Sequence, residues 1–169
     1  MLAPPAIFLA FVLVAAVGMF REDPDALPST LIGQMVPPVA ADPVGTLPSF
    51  TQTDLVGGGL KLVNFWASWC APCRAEHATL MALSTELPIY GVNKDDRDDQ
   101  ALAFLDELGN PFIAVTNDDT RQSIEWGVYG LPETFLVDAE GRILHRVVGP
   151  LTERVLQETL QPVIDGATN

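Results

Sequence analysis

The sequence predicts an α/β domain, a central sheet flanked by helices, joined at its N-terminus to a membrane-spanning helix. Three observations carry this. Leu60 to Trp66 is apolar at positions on both faces, as a central strand requires, and runs directly into a helical pattern. Strand-like and helix-like stretches then alternate, which implies a right-handed crossover between parallel strands. Leu2 to Phe20 carries no charge and is about as long as a bilayer core requires.

The 169 residues suffice for one compact domain plus an anchor. A formal net charge of −13 argues against a nucleic-acid partner and against attraction to anionic lipid. No long acidic block holds that charge, so it marks a solvated surface. The apolar fraction of 48% is ample for a packed core.

In chain order, 2–20 is expected as the anchor, 21–44 as linker and N-terminal extension, and 45–166 as the folded domain. A cleavable signal peptide is the alternative for the first segment, but its start lacks Lys or Arg and no clean small-x-small site follows the apolar run. Arg21, on the C-terminal side, votes weakly for a cytoplasmic domain. Pro24, Pro28, Pro37, Pro38 and Pro43 give 21–44 its linker composition. Leu47 to Thr51 is expected to open the fold as a short strand, before the central strand at Leu60 to Trp66. Leu80, Leu83 and Leu87 extend a helix until Pro88 stops it. Ile89 to Asn93 is the next strand. Asp95 or Asp96 is expected to cap a helix bearing Leu102, Leu105 and Leu108 and ending at Gly109. Phe112 to Val115 reads as a strand, Asp118 to Trp126 as a short helix, and Glu133 to Val137 as a strand entered through Pro132. A turn at Asp138 to Gly141 leads to a strand from Arg142 to Val148, where His145 is expected to be structural. Thr152 caps a final helix whose apolar side carries Val155, Leu156, Leu160 and Val163.

Chemistry concentrates at Cys70 and Cys73, the only cysteines. Cys70 falls at a helix N-terminus, where unsatisfied N–H groups and a partial positive charge favour the thiolate. Cys73 follows on the same face and Pro72 suits the first turn. The pair reads as a dithiol that exchanges disulfides, with Cys70 attacking and Cys73 resolving. Two other readings compete. A structural disulfide here would close a very short loop and stabilise little. A metal site would recruit His77, but zinc normally takes four protein ligands and there is no second CxxC. His77 otherwise reads as a helix-surface or active-site rim residue.

Val63-Asn-Phe-Trp-Ala-Ser-Trp-Cys-Ala-Pro-Cys73 resembles the active site of the thioredoxin superfamily. Arg74-Ala-Glu-His77, with Gly127-Val-Tyr-Gly-Leu-Pro-Glu-Thr-Phe135, resembles the CcmG/DsbE family of membrane-anchored thiol:disulfide proteins of cytochrome c maturation. That resemblance covers most of the chain from Leu31 onward. It implies a thioredoxin-like fold, with a central mixed β-sheet flanked by helices, and a redox-active Cys70–Cys73 disulfide. It also implies a cis bond at Pro132 and a substrate site formed by Trp69, Leu131 and Pro132, with Leu131 pairing an extended substrate segment. The implied setting is the inner membrane, single-pass, with the domain in the periplasm; it overrides the vote of Arg21. The implied work is reduction of apocytochrome c, directly or through a haem-ligation component, with electrons from a membrane donor of the CcdA/DsbD type. No cofactor is expected. A reductase for another client, such as a copper-site assembly protein, and a metal-binding chaperone using Cys70, Cys73 and His77 remain alternatives.

Where thioredoxins carry a buried aspartate before the CxxC, this chain has Asn64, and an amide is no base. Glu76 and Glu133 are therefore the expected proton acceptors. Glu133, beside Pro132, is expected against the thiol pair, and Glu133→Gln to slow exchange with little loss of stability.

Overall fold

The computed structural model describes residues 31–118 and 120–168. The anchor expected at 2–20 lies outside them. Among the described residues no helix is long and apolar enough to cross a membrane.

The five strands are β1 (Lys61–Trp66), β2 (Ile89–Lys94), β3 (Ala114–Asp118), β4 (Glu133–Val137) and β5 (Ile143–Val148). They form one mixed sheet in the order β3-β2-β1-β4-β5, with β2 parallel to both β1 and β3, and β4 antiparallel to both β1 and β5. Helices α1 (Ala71–Leu83), α2 (Asp98–Leu108) and α3 (Arg121–Glu125) connect them. A C-terminal helix, α4 (153–168), includes a π turn at Leu156–Leu160.

Side chains alternate across a strand, and that alternation assigns the site. From β1, Leu62 and Trp66 join the core formed with Leu80 and Leu83 of α1, Phe104 and Leu105 of α2, and Leu160 and Ile164 of α4. Val63 and Phe65 enter the opposite core, with Val36, Val39, Phe50, Trp126 and Phe135. Asn64 therefore shares the α1 face. In β4, Thr134 and Leu136 lie on that face too, while Glu133, Phe135 and Val137 lie on the other.

Several expected boundaries shift for identifiable reasons. No strand forms at Leu47 to Thr51. A 3₁₀ turn, Gln52–Leu55, follows instead, and the Pro48 carbonyl accepts the Val115 N–H at 2.7 Å. The Asp42 carbonyl accepts from Asn117 N–H, and Pro43 bridges Thr116, so this segment covers the outer edge of β3. Residues 31–44 accordingly behave as an extension packed on the domain and not as a free linker, with Val36, Val39 and Val44 buried. Helix α1 stops at Leu83, ahead of Pro88, where Ser84 and Thr85 hydroxyls donate to the Met81 and Ala82 carbonyls. Arg97, and neither Asp95 nor Asp96, is the N-cap of α2, because the Asp96 carboxylate turns back to the β1–α1 loop. The cap of Thr152 is as expected: its hydroxyl accepts from Val155 N–H.

Candidate active site

Trp66 and Asn93 are register partners at the ends of the parallel strands β1 and β2, so the loops beyond them meet. Asp96 binds them together. Its carboxylate accepts from Ser68 N at 2.6 Å, from Ser68 Oγ at 2.9 Å and from Asn93 Nδ2 at 3.2 Å. Trp69 Nε1 donates to the Asp95 carbonyl at 3.0 Å, and the residue as a whole is 59% exposed. The chain then enters α1 with Cys70 as its N-cap, and Cys73 N–H donates to Cys70 Sγ at 3.2 Å. The two cysteines form a disulfide with a Cα–Cα distance of 5.3 Å. A sulfur at this N-cap lies where the helix's free N–H groups stabilise negative charge, the condition for a reactive Cys70 thiolate once the bond is reduced.

Cys73 lines a narrow crevice with Asn64, Trp66, Glu76, His77, Leu80, Phe104 and Phe112. Glu76 is fully buried there. Asn64 Nδ2 donates to its Oε1 at 2.9 Å and Leu151 N–H to its Oε2 at 2.6 Å. No cation pairs with it among the described residues. Loss of solvation outweighs the two hydrogen bonds and pushes its carboxyl up to about 7. A carboxyl that changes protonation near neutrality thus faces the same crevice as the Cys73 side chain. Asn64 Oδ1 and Trp66 Nε1 are also buried there without a hydrogen-bond partner.

Glu133 is equally buried but sits on the opposite face of the sheet from this crevice. Its Oε2 meets Arg146 Nη2 at 2.6 Å, and its Oε1 accepts the N–H groups of Tyr129 and Gly130. The expectation that it lies against the thiol pair is therefore corrected by the two-residue period of β4. The next residue, Thr134, is the one turned towards Asn64, whose Nδ2 donates to Thr134 Oγ1 at 3.0 Å.

His77 corrects the helix-surface alternative: it is buried, and it lines the crevice beside Cys73. Its Nε2 contacts the Gly109 carbonyl at 2.9 Å, and since a carbonyl only accepts, that nitrogen carries the proton. Burial lowers its pKa below the usual histidine value. Among the described residues no group of three or more His, Cys, Asp or Glu is placed to hold a metal. Leu131 is half-buried, and the Leu131–Pro132 bond is cis, the isomer the resemblance implies. The 127–132 loop enters β4 beside the end of β1, at the same end of the sheet as the disulfide.

Sequence reasoning passed over Asp96 as the tie on the β1–α1 loop and Arg146 as the partner of Glu133. The parallel pairing of β1 with β2 carries the first signal. The second lies in the hairpin: Phe135 is the register partner of Arg146, which puts Arg146 diagonal to Glu133 on one face.

The redoxin family model matches residues 32–160. The chain is 44% identical to the thiol:disulfide interchange protein HelX of Rhodobacter capsulatus, over 100% of this chain and 97% of that protein. It is 49% identical to a thiol:disulfide interchange protein DsbE homologue of Paracoccus denitrificans, over 99% of this chain and 94% of that one. A crystal structure described as a thiol:disulfide interchange protein DsbE from Chlorobium tepidum superimposes with a TM-score of 0.71 at 27% identity, covering 83% of this chain and 100% of that chain. With a thioredoxin-like mixed sheet and a CxxC disulfide at a helix N-terminus, the chain belongs to the redoxin family and, within it, to the DsbE/CcmG group of thiol:disulfide interchange proteins.

Proposed function

We propose that this thiol:disulfide interchange protein acts as a reductant in the periplasm, freeing the haem-attachment cysteines of apocytochrome c directly or through a haem-ligation component. The supporting observation is the pairing of an N-cap Cys70 with a Cys73 whose crevice contains the fully buried Glu76. Once the Cys70–Cys73 disulfide has been reduced, the Cys70 thiolate attacks one sulfur of the substrate disulfide. A bond forms from Cys70 Sγ to that sulfur, the substrate S–S bond breaks, and the departing thiolate takes a proton. Cys73 gives its proton to Glu76 and attacks Cys70 Sγ, releasing the second substrate thiolate. Two electrons pass to the substrate and the protein is left oxidised.

In this reading Trp69, Leu131 and Pro132 receive the substrate segment, while Glu133 acts by holding the neighbouring loop. Re-reduction in an oxidising compartment requires a membrane donor of the CcdA/DsbD type, and the apolar segment at 2–20 serves as inner-membrane anchor. Names of relatives such as HelX and DsbE, given to thiol:disulfide interchange proteins, support the pathway without fixing the client.

A trap tests it. With Cys73→Ser the mixed disulfide on Cys70 cannot resolve, and adducts are identified from the cell envelope. A cytochrome c precursor or haem-ligation partner is expected. Recovery of other clients alone, for example a copper-site assembly protein, would move the protein to another pathway. No adduct from reduced, accessible Cys70 would remove the reductase role.

A further inference from the structure

The Glu133–Arg146 pair is built around one short stretch of chain, 127–131. Arg146 Nη2 donates to the Gly127 carbonyl at 2.8 Å, and Glu133 Oε1 accepts from Tyr129 and Gly130 N–H at 3.1 and 3.3 Å. Arg146 Nε reaches Glu133 Oε2 at 2.7 Å. The guanidinium carbon also lies 5.0 Å from the centroid of the Tyr129 ring. A fork of fixed planar donors thus ties together the loop's backbone and its one large exposed side chain. Tyr129 is 55% exposed.

A buried ion pair is a poor device for stability alone, since apolar residues of the same volume usually serve as well or better. Its hydrogen bonds here go to the backbone leading into Leu131 and Pro132, at the end of the sheet that carries the disulfide. An exposed aromatic ring held over a cation has already lost the freedom it would otherwise lose on binding. Resting on the interchange reading above, we infer that Arg146 is a positioning residue for the reaction. Through Glu133 and the Gly127 carbonyl it holds Tyr129 as a fixed aromatic wall for the residue beside the cystine of a protein substrate. The substrate class is an extended segment with an aromatic or large apolar side chain next to the cystine.

The experiment measures steady-state reduction of two cystine peptides by the full chain, recycled with a small dithiol. The peptides differ only in phenylalanine or glycine beside the cystine. Wild type is expected to show a KM about tenfold lower for the phenylalanine peptide, the scale of one good aromatic contact. Tyr129→Ala and Arg146→Ala should erase that preference through KM, with kcat held within about twofold. Arg146→Lys, which keeps the charge but lacks the fork, should restore only part of it. In the double variant, Arg146→Ala should add nothing to Tyr129→Ala. Equal KM values for both peptides in wild type would overturn the inference, as would full preference in Arg146→Lys or Arg146→Ala. If Arg146→Ala fails to fold, Tyr129→Ala and Arg146→Lys still decide. Failure of the reduced wild-type Cys70/Cys73 dithiol to exchange with either peptide would sink the interchange reading itself.

Discussion

Glu76 and Glu133 are both fully buried, and each accepts backbone and side-chain hydrogen bonds, yet the fold gives them opposite chemistry. Glu133 has a guanidinium against it on one face of the sheet. Glu76 has only the Asn64 amide and the Leu151 N–H on the other, and so is pushed up to about 7. Burial alone does not make a carboxylate a proton carrier. Glu133 has a cation within ion-pair distance and Glu76 has none among the described residues, and a single step along β4 separates the paired glutamate from the face on which Glu76 sits.

The comparison predicts its largest effect at Glu133. Glu133→Gln leaves Arg146, whose side chain is 7% exposed, without its counter-charge. Breaking a buried pair from one side is expected to lower stability by about 4 kcal/mol, read from denaturant unfolding. That replaces the expectation, formed from the sequence, of little loss. A change below about 1 kcal/mol would mean the pair is solvated in practice and the contrast with Glu76 false.

Glu76 should show the reverse behaviour. Its folded-state pKa of about 7 stands above the ordinary 4.5, so between those values the folded protein binds the proton more tightly than the unfolded chain. This contribution to stability is fully present below about pH 4.5 and is lost as pH rises to about 7, a fall of about 3 kcal/mol. Glu76→Gln should flatten that slope, so that the variant gains on wild type between pH 5 and pH 8. The same substitution should slow disulfide exchange at pH 8 by about a hundredfold and abolish the inflection near neutrality. Retention of the inflection would assign the proton transfer elsewhere.

How much of this was legible in the sequence follows from which signals are local. Helix α1 and its cysteines, β4 and the Thr152 cap were readable because capping residues and two-residue alternation are properties of a few neighbours. Asp95 and Asp96 both read as helix caps, and the true role of Asp96 is hidden because its partner Ser68 is distant in sequence and meets it only through the β1–β2 register. For His77 the sequence leaves helix surface and active-site rim both open, because nothing nearby reveals that Phe104 and the Gly109 carbonyl of another element enclose it. The face of Glu133 was available all along. With Phe135 and Val137 it forms one alternate set, and Thr134 with Leu136 the other, so adjacency to Pro132 did not imply adjacency to the thiols.

The smallest effect is expected where the same charge types meet in water. Arg74 of α1 and Glu107 of α2 form a bidentate pair at 2.8 and 3.2 Å, but their side chains are 46% and 61% exposed. Solvent screens the attraction, and separating the two charges leaves each hydrated, so no buried ion is stranded. Arg74 also keeps its place over the Phe104 ring, 5.0 Å from the centroid, without Glu107. Glu107→Gln should therefore change stability by less than about 1 kcal/mol, with most of that vanishing in high salt. Set beside Glu133→Gln, it holds the ion-pair chemistry nearly constant and varies the burial. A loss as large as that at Glu133 would show that the helix connection, and not burial of the charge, sets the scale of these pairs.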